Sequence, residues 1–312
     1  MLRPEMPIHA RAWHSSRSFH HSSFPPDRIA AQRSATVSLC LPARNEERTI
    51  GSILQELTPL LEQGVIDQIA VVDGSTDATR EIAQSFGVEV HDQEQLMPEF
   101  GPVLGKGDAM WRALEVLTGD VICFLDADSE HFGPHFACGM LGPLLLRSDI
   151  SMVKGFYRRP FRVNGTTLPE GGGRVTELTA RPLLNLFYPD LAAVRQPLAG
   201  EVAARRDLLE RLPFATGYGV EVALLIDAYR AVGLDGLAQV DLDVRQNDHQ
   251  PLRDLGPMAF AVLQAVAARL ERDGRLSGPL GHALLAPGDE DGPVLVDALV
   301  ERPPLAQLRA AA

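Results

Sequence analysis

The sequence predicts an α/β fold in which a parallel sheet is covered by helices on both faces. Three observations carry this reading. Short apolar runs without polar alternation recur at 36–41, 66–72, 88–91 and 121–125, as strands buried on both faces require. Segments with helical spacing separate them, and such alternation favours parallel pairing. The runs end in polar tips, and in open α/β sheets ligands bind beyond the carboxyl ends of the strands.

The first run, Thr36–Leu41, is closed by Pro42, and Glu46–Leu61 then places Ile50, Ile53, Leu54, Leu57 and Leu61 on one helical face. Ile66–Val72 is the second strand, followed by Asp73-Gly74-Ser75-Thr76-Asp77 and a helix to about Phe86. Val88–His91 is a third strand, Lys106–Leu117 a helix, and Val121–Leu125 a fourth strand. The tips Pro42–Glu46, Asp73–Asp77 and Asp126–Asp128 should therefore share one crevice. The second half is less regular. Ser151–Phe161 holds a strand, Phe161–Gly173 a loop, and Arg174–Phe187, Glu221–Ala231 and Met258–Leu270 read as helices.

Residues 1–34 stand apart. They carry Arg3, Arg11, Arg17, Arg28 and Arg33 against Glu5 and Asp27, with many serines and histidines. Such Arg- and Ser-rich, acid-poor composition resembles a transit peptide, and a disordered extension outside the fold is the simpler expectation.

Composition narrows the function. The formal charge of −12 argues against sequence-independent nucleic-acid binding, which needs a cationic surface. No apolar run reaches the roughly 18 residues of a membrane span. Cys40, Cys123 and Cys138 form no CxxC pair and read as buried reduced thiols of a cytoplasmic protein.

The strongest chemical signal is Asp126-Ala127-Asp128 at a strand end. Two carboxylates one residue apart can reach a hard divalent cation, Mg²⁺ or Mn²⁺, and through it a diphosphate. Pro42-Ala43-Arg44-Asn45-Glu46-Glu47 can wall a base and ribose, and Asn45 can also simply cap the next helix. Gly105-Lys106-Gly107 brings a cation to a helix start without the spacing of a P-loop. Gly171-Gly172-Gly173-Arg174 and Thr176 supply backbone N–H groups, a guanidinium and a hydroxyl, an anion pocket in an acidic protein.

Together the PARNEE segment, the DGSTD turn and LDAD resemble the nucleotide-sugar domain of GT-A fold glycosyltransferases. Val153–Pro160, Gly171–Leu178, Ala180–Leu184, Gln196–Glu201 and Gly217–Glu221 narrow this to a resemblance to the actinobacterial glucosyl-3-phosphoglycerate synthases. The similarity runs roughly from Thr36 to Leu255. It implies a nucleotide-sugar half at 35–150, an acceptor- and metal-binding half at 151–255, and a C-terminal helical region and tail at 256–312.

The resemblance implies retaining transfer of glucose from UDP-glucose to the 2-hydroxyl of 3-phosphoglycerate. Pro42, Ala43, Arg44, Glu46, Gly74, Lys106, Asp126, Ala127 and Tyr218 would bind the donor. Asp128 would hold the metal, Gly173, Arg174 and Thr176 the acceptor's anionic groups. Leu198, Glu221 and Arg245 would act at the reacting centre, with Glu221 holding glucose hydroxyls and Arg245 facing the departing phosphate. Three features depart from the family. The DGSTD turn is one residue short, the Arg162–Glu170 loop differs in length, and Asn247 stands where a metal-binding histidine is usual, with His249 two positions on. Either could complete the metal shell. A glycosyltransferase of specialised metabolism with another donor or acceptor is the alternative reading. A nucleotidyltransferase would open with a Gly-rich loop after the first strand, which PARNEE is not. The C-terminal amphipathic stretch makes a homodimer plausible.

Overall fold

The computed structural model describes residues 8–163, 166–168, 171–246, 251–278, 281, 284–286, 294–296 and 299–311. The chain opens with α1 (Ile8–Arg17), β1 (Ser18–His20) and α2 (Pro26–Gln32). Alternating strands and helices follow: β2 (Val37–Ala43), α3 (Ile50–Leu57), α4 (Pro59–Glu62), β3 (Gln68–Asp73), α5 (Thr79–Ser85) and β4 (Glu89–Asp92). Next come α6 (Lys106–Ala113), β5 (Val121–Phe124), α7 (His135–Leu146) and β6 (Met152–Arg158). A small hairpin, β7 (Phe161–Val163) and β8 (Thr166–Leu168), falls within the stretch read from sequence as loop. The rest comprises α8 (Arg181–Phe187), β9 (Val202–Arg205), α9 (Arg206–Arg211), β10 (Phe214–Ala215), α10 (Val220–Val232), β11 (Leu237–Val244) and α11 (Leu252–Arg272). The tail adds a hairpin of β12 (Leu284–Ala286) and β13 (Val294–Val296), then β14 (Glu301–Arg302) and α12 (Leu305–Ala311).

Eight strands form one sheet in the order β1-β11-β6-β9-β5-β2-β3-β4. Every pairing is parallel except the two made by β9, which runs antiparallel between β6 and β5. The α/β reading holds, and the reason is visible in burial. All six residues of Gln68–Asp73 and all four of Val121–Phe124 are buried, with apolar clusters on both faces of the sheet. The antiparallel strand was not legible from the sequence. Val202–Arg205 is as apolar as its parallel neighbours, and direction leaves no mark on a strand buried on both faces.

The largest correction is at the amino end. The expectation that residues 1–34 lie outside the fold fails from Ile8 onward. β1 extends the sheet as a parallel edge strand on β11, pairing Ser18 with Gln239 and His20 with Asp241. Trp13 is 2% exposed, and its indole N–H donates to the Leu237 carbonyl at 2.9 Å. The basic composition is used locally, as Arg17 pairs with Asp149 and Arg33 with Asp67. Trp13→Ala is therefore expected to destabilise the protein by about 3–5 kcal/mol, which chemical denaturation would read directly. An unchanged midpoint would mean the segment is not docked.

Smaller differences have local causes. The helix expected over 46–61 starts at Ile50 and is interrupted at Thr58, because Pro59 opens a new helical turn. The helix expected from Arg174 starts there and passes through a π-type turn over Thr176–Ala180 before α8. Among the described residues no helix is long and apolar enough to cross a membrane.

Candidate active site

Strand register builds the crevice. β2 lies beside β3 with Pro42 opposite Val72 and Ala43 opposite Asp73, and the Leu125 N–H donates to Cys40 O at 3.1 Å. The three polar tips thus converge. The first two are laced together. Asn45, in the left-handed region at φ 60°, accepts the Thr76 N–H on its side chain at 2.9 Å, and its own N–H donates to Ser75 Oγ at 2.8 Å. Glu46 N–H donates to Thr79 Oγ1 and Ala78 N–H to Glu47. Asn45 therefore ties one loop to the other and makes no helix-capping contact at α3. Gly74 packs against the amide of Gln93, which a Cβ at 74 would approach to 2.1 Å and which would have to swing aside. Arg44 is exposed at the loop's rim.

Asp126 sits between two cations. Lys106 donates to its Oδ1 at 2.5 Å and Arg245 to its Oδ2 at 2.8 Å. Burial alone would raise the Asp126 carboxyl, but these two charges and hydrogen bonds hold it well below the usual carboxylate range. Lys106 also donates to Glu221 at 3.0 Å. Burial opposes its charge, and Asp126 and Glu221 outweigh that and raise it. Asp128, Ala127 and the Thr49 hydroxyl complete the rim, with Thr49 donating to Ala127 O at 2.6 Å.

The antiparallel strand explains how the far half reaches this point. Phe124 pairs with Val202, so the chain beyond Phe124 meets the chain before Val202, namely Gly200 and Glu201. A Cβ on Gly200 would lie 2.0 Å from Asp126 Oδ2. Arg245 arrives from β11, its N–H donating to Arg158 O on β6 at 3.1 Å. Its side chain, 1% exposed, pairs with Asp126, Asp128 and Glu201 and donates to the Tyr157 hydroxyl at 2.7 Å. Tyr157 in turn donates to Glu201 at 2.8 Å, and burial pushes its phenol up to about 12 against the pull of Arg159 and Arg245. The sequence reading had Arg245 open to a phosphate. The structure sets it behind the aspartates as the cation that positions them.

The third cluster is a small pocket lined by Arg159, Gly172, Gly173, Thr176, Glu177, Gln196 and Ala199. Gly173 takes φ +76°, and its carbonyl receives the Glu177 N–H at 3.1 Å. Thr176 is buried, Arg174 half-buried. Arg159 comes from the Val153–Pro160 segment. Its Nη2 donates to Tyr157, while its buried Nε has no hydrogen-bond partner among the described residues. An orphaned cationic N–H beside a pocket seeks an anion. Arg159, Gln196 and Lys154 are the site residues that motif reasoning missed. Lys154, fully inside, donates to the Ala199 carbonyl; burial pulls its ammonium down to about 8, against Glu221. This lysine holds the Leu198–Gly200 turn that separates the pocket from Asp126. Tyr218 is 57% exposed, just before α10, where Glu221 begins the inward face. Asn247 and His249 lie outside the described residues.

Asp128, 40% exposed beside Asp126, offers a divalent cation a hard carboxylate oxygen, and the crowding of carboxylates here shows in Glu46. Burial, then the charges of Asp128 and Asp126, raise its carboxyl from 4.5 to about 7. Between those values the native state of the metal-free protein holds a proton that the unfolded chain has released. Stability should therefore fall as pH rises from 4.5 to about 7, and Glu46→Gln should flatten that fall. Urea midpoints measured across the window in chelator would show it, and an identical slope in Glu46→Gln would refute it.

Comparison with known proteins agrees with this geometry. A Glycosyl transferase family 2 model matches residues 38–158. A glucosyl-3-phosphoglycerate synthase of Mycolicibacterium smegmatis is 45% identical over 301 residues, spanning 95% of this chain and 98% of the relative. That of Petrotoga mobilis is 43% identical over 302 residues, spanning 93% of each. Among solved structures, mannosyl-3-phosphoglycerate synthase from Rubrobacter xylanophilus superposes with TM-score 0.87 at 45% identity, covering 97% of this chain and 99% of that one. The glucosyl-3-phosphoglycerate synthase of Mycobacterium tuberculosis, in complex with Mn²⁺, UDP and phosphoglyceric acid, superposes with TM-score 0.81 at 41% identity, covering 94% and 99%. The chain belongs to the glucosyl-3-phosphoglycerate synthase family, on a GT-A glycosyltransferase fold.

Proposed function

We propose that this enzyme moves glucose from UDP-glucose to the 2-hydroxyl of 3-phosphoglycerate, with retention at the anomeric carbon. The observation that carries the reading is the meeting of two unlike sites. The Asp126–Lys106–Glu221 cluster and the Arg159–Thr176 pocket lie on either side of the Leu198–Gly200 turn. One suits a diphosphate and a sugar, the other a small anion. The tip residues Pro42, Ala43, Arg44, Glu46 and Gly74 would hold the nucleotide, with Tyr218 near the sugar. Asp128 would carry Mg²⁺ or Mn²⁺, which supplies charge neutralisation on the diphosphate leaving group.

Each residue's part follows from its contacts. Lys106 brings a fixed positive charge to the departing β-phosphate. Glu221, in reach of Lys106, accepts hydrogen bonds from glucose hydroxyls. Gly173, Arg174, Thr176 and Arg159 orient the acceptor's phosphate and carboxylate, so its 2-hydroxyl faces the anomeric carbon. The Leu198 carbonyl lies near that carbon. The bond from C1 to the phosphate oxygen breaks, the bond to the acceptor oxygen forms on the same face, and the hydroxyl proton passes to the leaving phosphate. Three buried thiols support a cytoplasmic setting. Leu178 and Leu186, 76% and 70% exposed, support burial of that face in a homodimer.

A second reading, transfer of mannose from a nucleotide-mannose donor such as GDP-mannose, draws on the likeness to the mannosyl-3-phosphoglycerate synthase of Rubrobacter xylanophilus. Steady-state assays with 3-phosphoglycerate and each donor separate the two. UDP-glucose should be used at a higher kcat/KM, and Thr176→Val should raise KM for 3-phosphoglycerate about tenfold through one lost hydrogen bond to a charged group. Preference for GDP-mannose, or an unmoved acceptor KM, would overturn the reading.

A further inference from the structure

At the opposite edge of the sheet from β4, β1 and β11 bring together His20, His21 and Asp243. Their potential ligand atoms all lie within 4.8 Å of one another. None of them belongs to the donor or acceptor sites. We infer that His20 Nε2, His21 Nε2 and the Asp243 carboxylate form a binding site for a borderline transition-metal ion such as Zn²⁺, distinct from the hard-cation site at Asp128.

The backbone arranges this cluster. Parallel pairing puts His20 opposite Asp241, and the β11 register shifts between Asp241 and Val244. The shift leaves Asp243 at φ +67°, an uncommon conformation for a non-glycine residue, though Asp and Asn tolerate it best. Its side chain thereby turns to the histidines. His21 Nε2 lies 2.6 Å from Asp243 Oδ2, and His20 Nε2 3.5 Å from Oδ1. Tetrahedral zinc with ligand bonds of about 2.0–2.2 Å spaces its ligand atoms roughly 3.3 Å apart. The first pair has to open slightly, and the second already fits.

The rings are held. His21 packs against His20, ring centroids 4.4 Å apart and tilted by 33°, and against His135 of α7, 4.6 Å apart and tilted by 46°. Its Cβ packs on Gly139, where a side-chain carbon would lie 3.1 Å away. His20 Nδ1 is 2.8 Å from Ser22 Oγ, so an Nδ1–H can donate to that hydroxyl and leave the Nε2 lone pair for a metal. Such outer partners are what fix the tautomer of metal-bound histidines. The Ser22 N–H, now 3.2 Å from Nδ1, would release in that state. Arg158 approaches Asp243 Oδ1 only at 3.9 Å and is 68% exposed, a weak competitor. Two imidazoles and one carboxylate favour zinc over magnesium. The ion would clip the docked amino-terminal segment to β11, two residues before Arg245.

The test is calorimetric titration of Zn²⁺ into the chelator-stripped full chain, alongside melting curves. Wild-type protein and Asp128→Asn should both bind one Zn²⁺ per chain at this edge and melt higher with zinc. His20→Gln/His21→Gln and, separately, Asp243→Asn should weaken that binding at least about a hundredfold and lose the zinc-induced shift. Circular dichroism, and glucosyl transfer in magnesium, check that both variants are folded. Asparagine suits the left-handed backbone at 243, so Asp243→Asn keeps the test open if the double variant misfolds. Zinc binding unchanged in the folded variants, or lost in Asp128→Asn alone, would overturn the assignment.

Discussion

Arg245→Met is expected to lose at least about a thousandfold in kcat/KM and to destabilise the fold by about 3–5 kcal/mol, the magnitude seen when one partner of a buried ion pair is removed. The reason is its isolation. Its side chain is 1% exposed and faces Asp126, Asp128 and Glu201. Without the guanidinium, three carboxylates crowd one another in a site that must also accept a diphosphate. Raised carboxylate protonation would then replace the fixed negative charge that a divalent cation needs. Arg245→Lys keeps one charge but cannot span three partners, since an ammonium lacks the planar fork. It should therefore recover much of the stability and little of the rate. Paired melting and kinetic measurements separate the two effects, and full activity in Arg245→Lys would show that the fork is dispensable.

Gly200→Ala is the second large effect, and it comes from a single methyl group. The new Cβ would fall 2.0 Å from Asp126 Oδ2 and 2.3 Å from Oδ1. The carboxylate cannot step aside cheaply, because Lys106 and Arg245 hold its two oxygens. Displacement by about 1 Å at a reacting centre costs on the order of a hundredfold in rate, so a loss of 10²-fold or more in kcat/KM is expected (by the same principle). A shift in the metal concentration that half-activates the enzyme should accompany it. Wild-type kinetics in this variant would mean that Gly200 and Asp126 are not in contact.

Much of this site was legible in the sequence because strand-end chemistry is local. Asp126, Asp128, Lys106 and the PARNEE segment could be placed in one crevice from apolar runs and their tips alone. What escaped depends on long-range register. Gly200 meets Asp126, and Glu201 meets Arg245, only because β9 is antiparallel, and nothing in Val202–Arg205 announces its direction. Arg159 is one of two adjacent arginines in sequence, and only the structure shows Tyr157 holding its Nη2 while its buried Nε has no hydrogen-bond partner among the described residues. The amino-terminal segment misled for a related reason. Its arginines and serines carry the composition of an unfolded tail, whereas its fold rests on a few residues, Ala10, Trp13, Phe24 and Ile29, all buried. Average composition is blind to four well-placed anchors.

The most direct test of a donor site and an acceptor pocket joined across the Leu198–Gly200 turn is the product itself. Purified protein should be incubated with UDP-glucose, 3-phosphoglycerate and Mg²⁺ or Mn²⁺, and the product's anomeric proton read by NMR. The account predicts α-linked glucosyl-3-phosphoglycerate, formed with the metal and lost on chelation. A β-linked product, or UDP release without sugar on the phosphoglycerate, would contradict it.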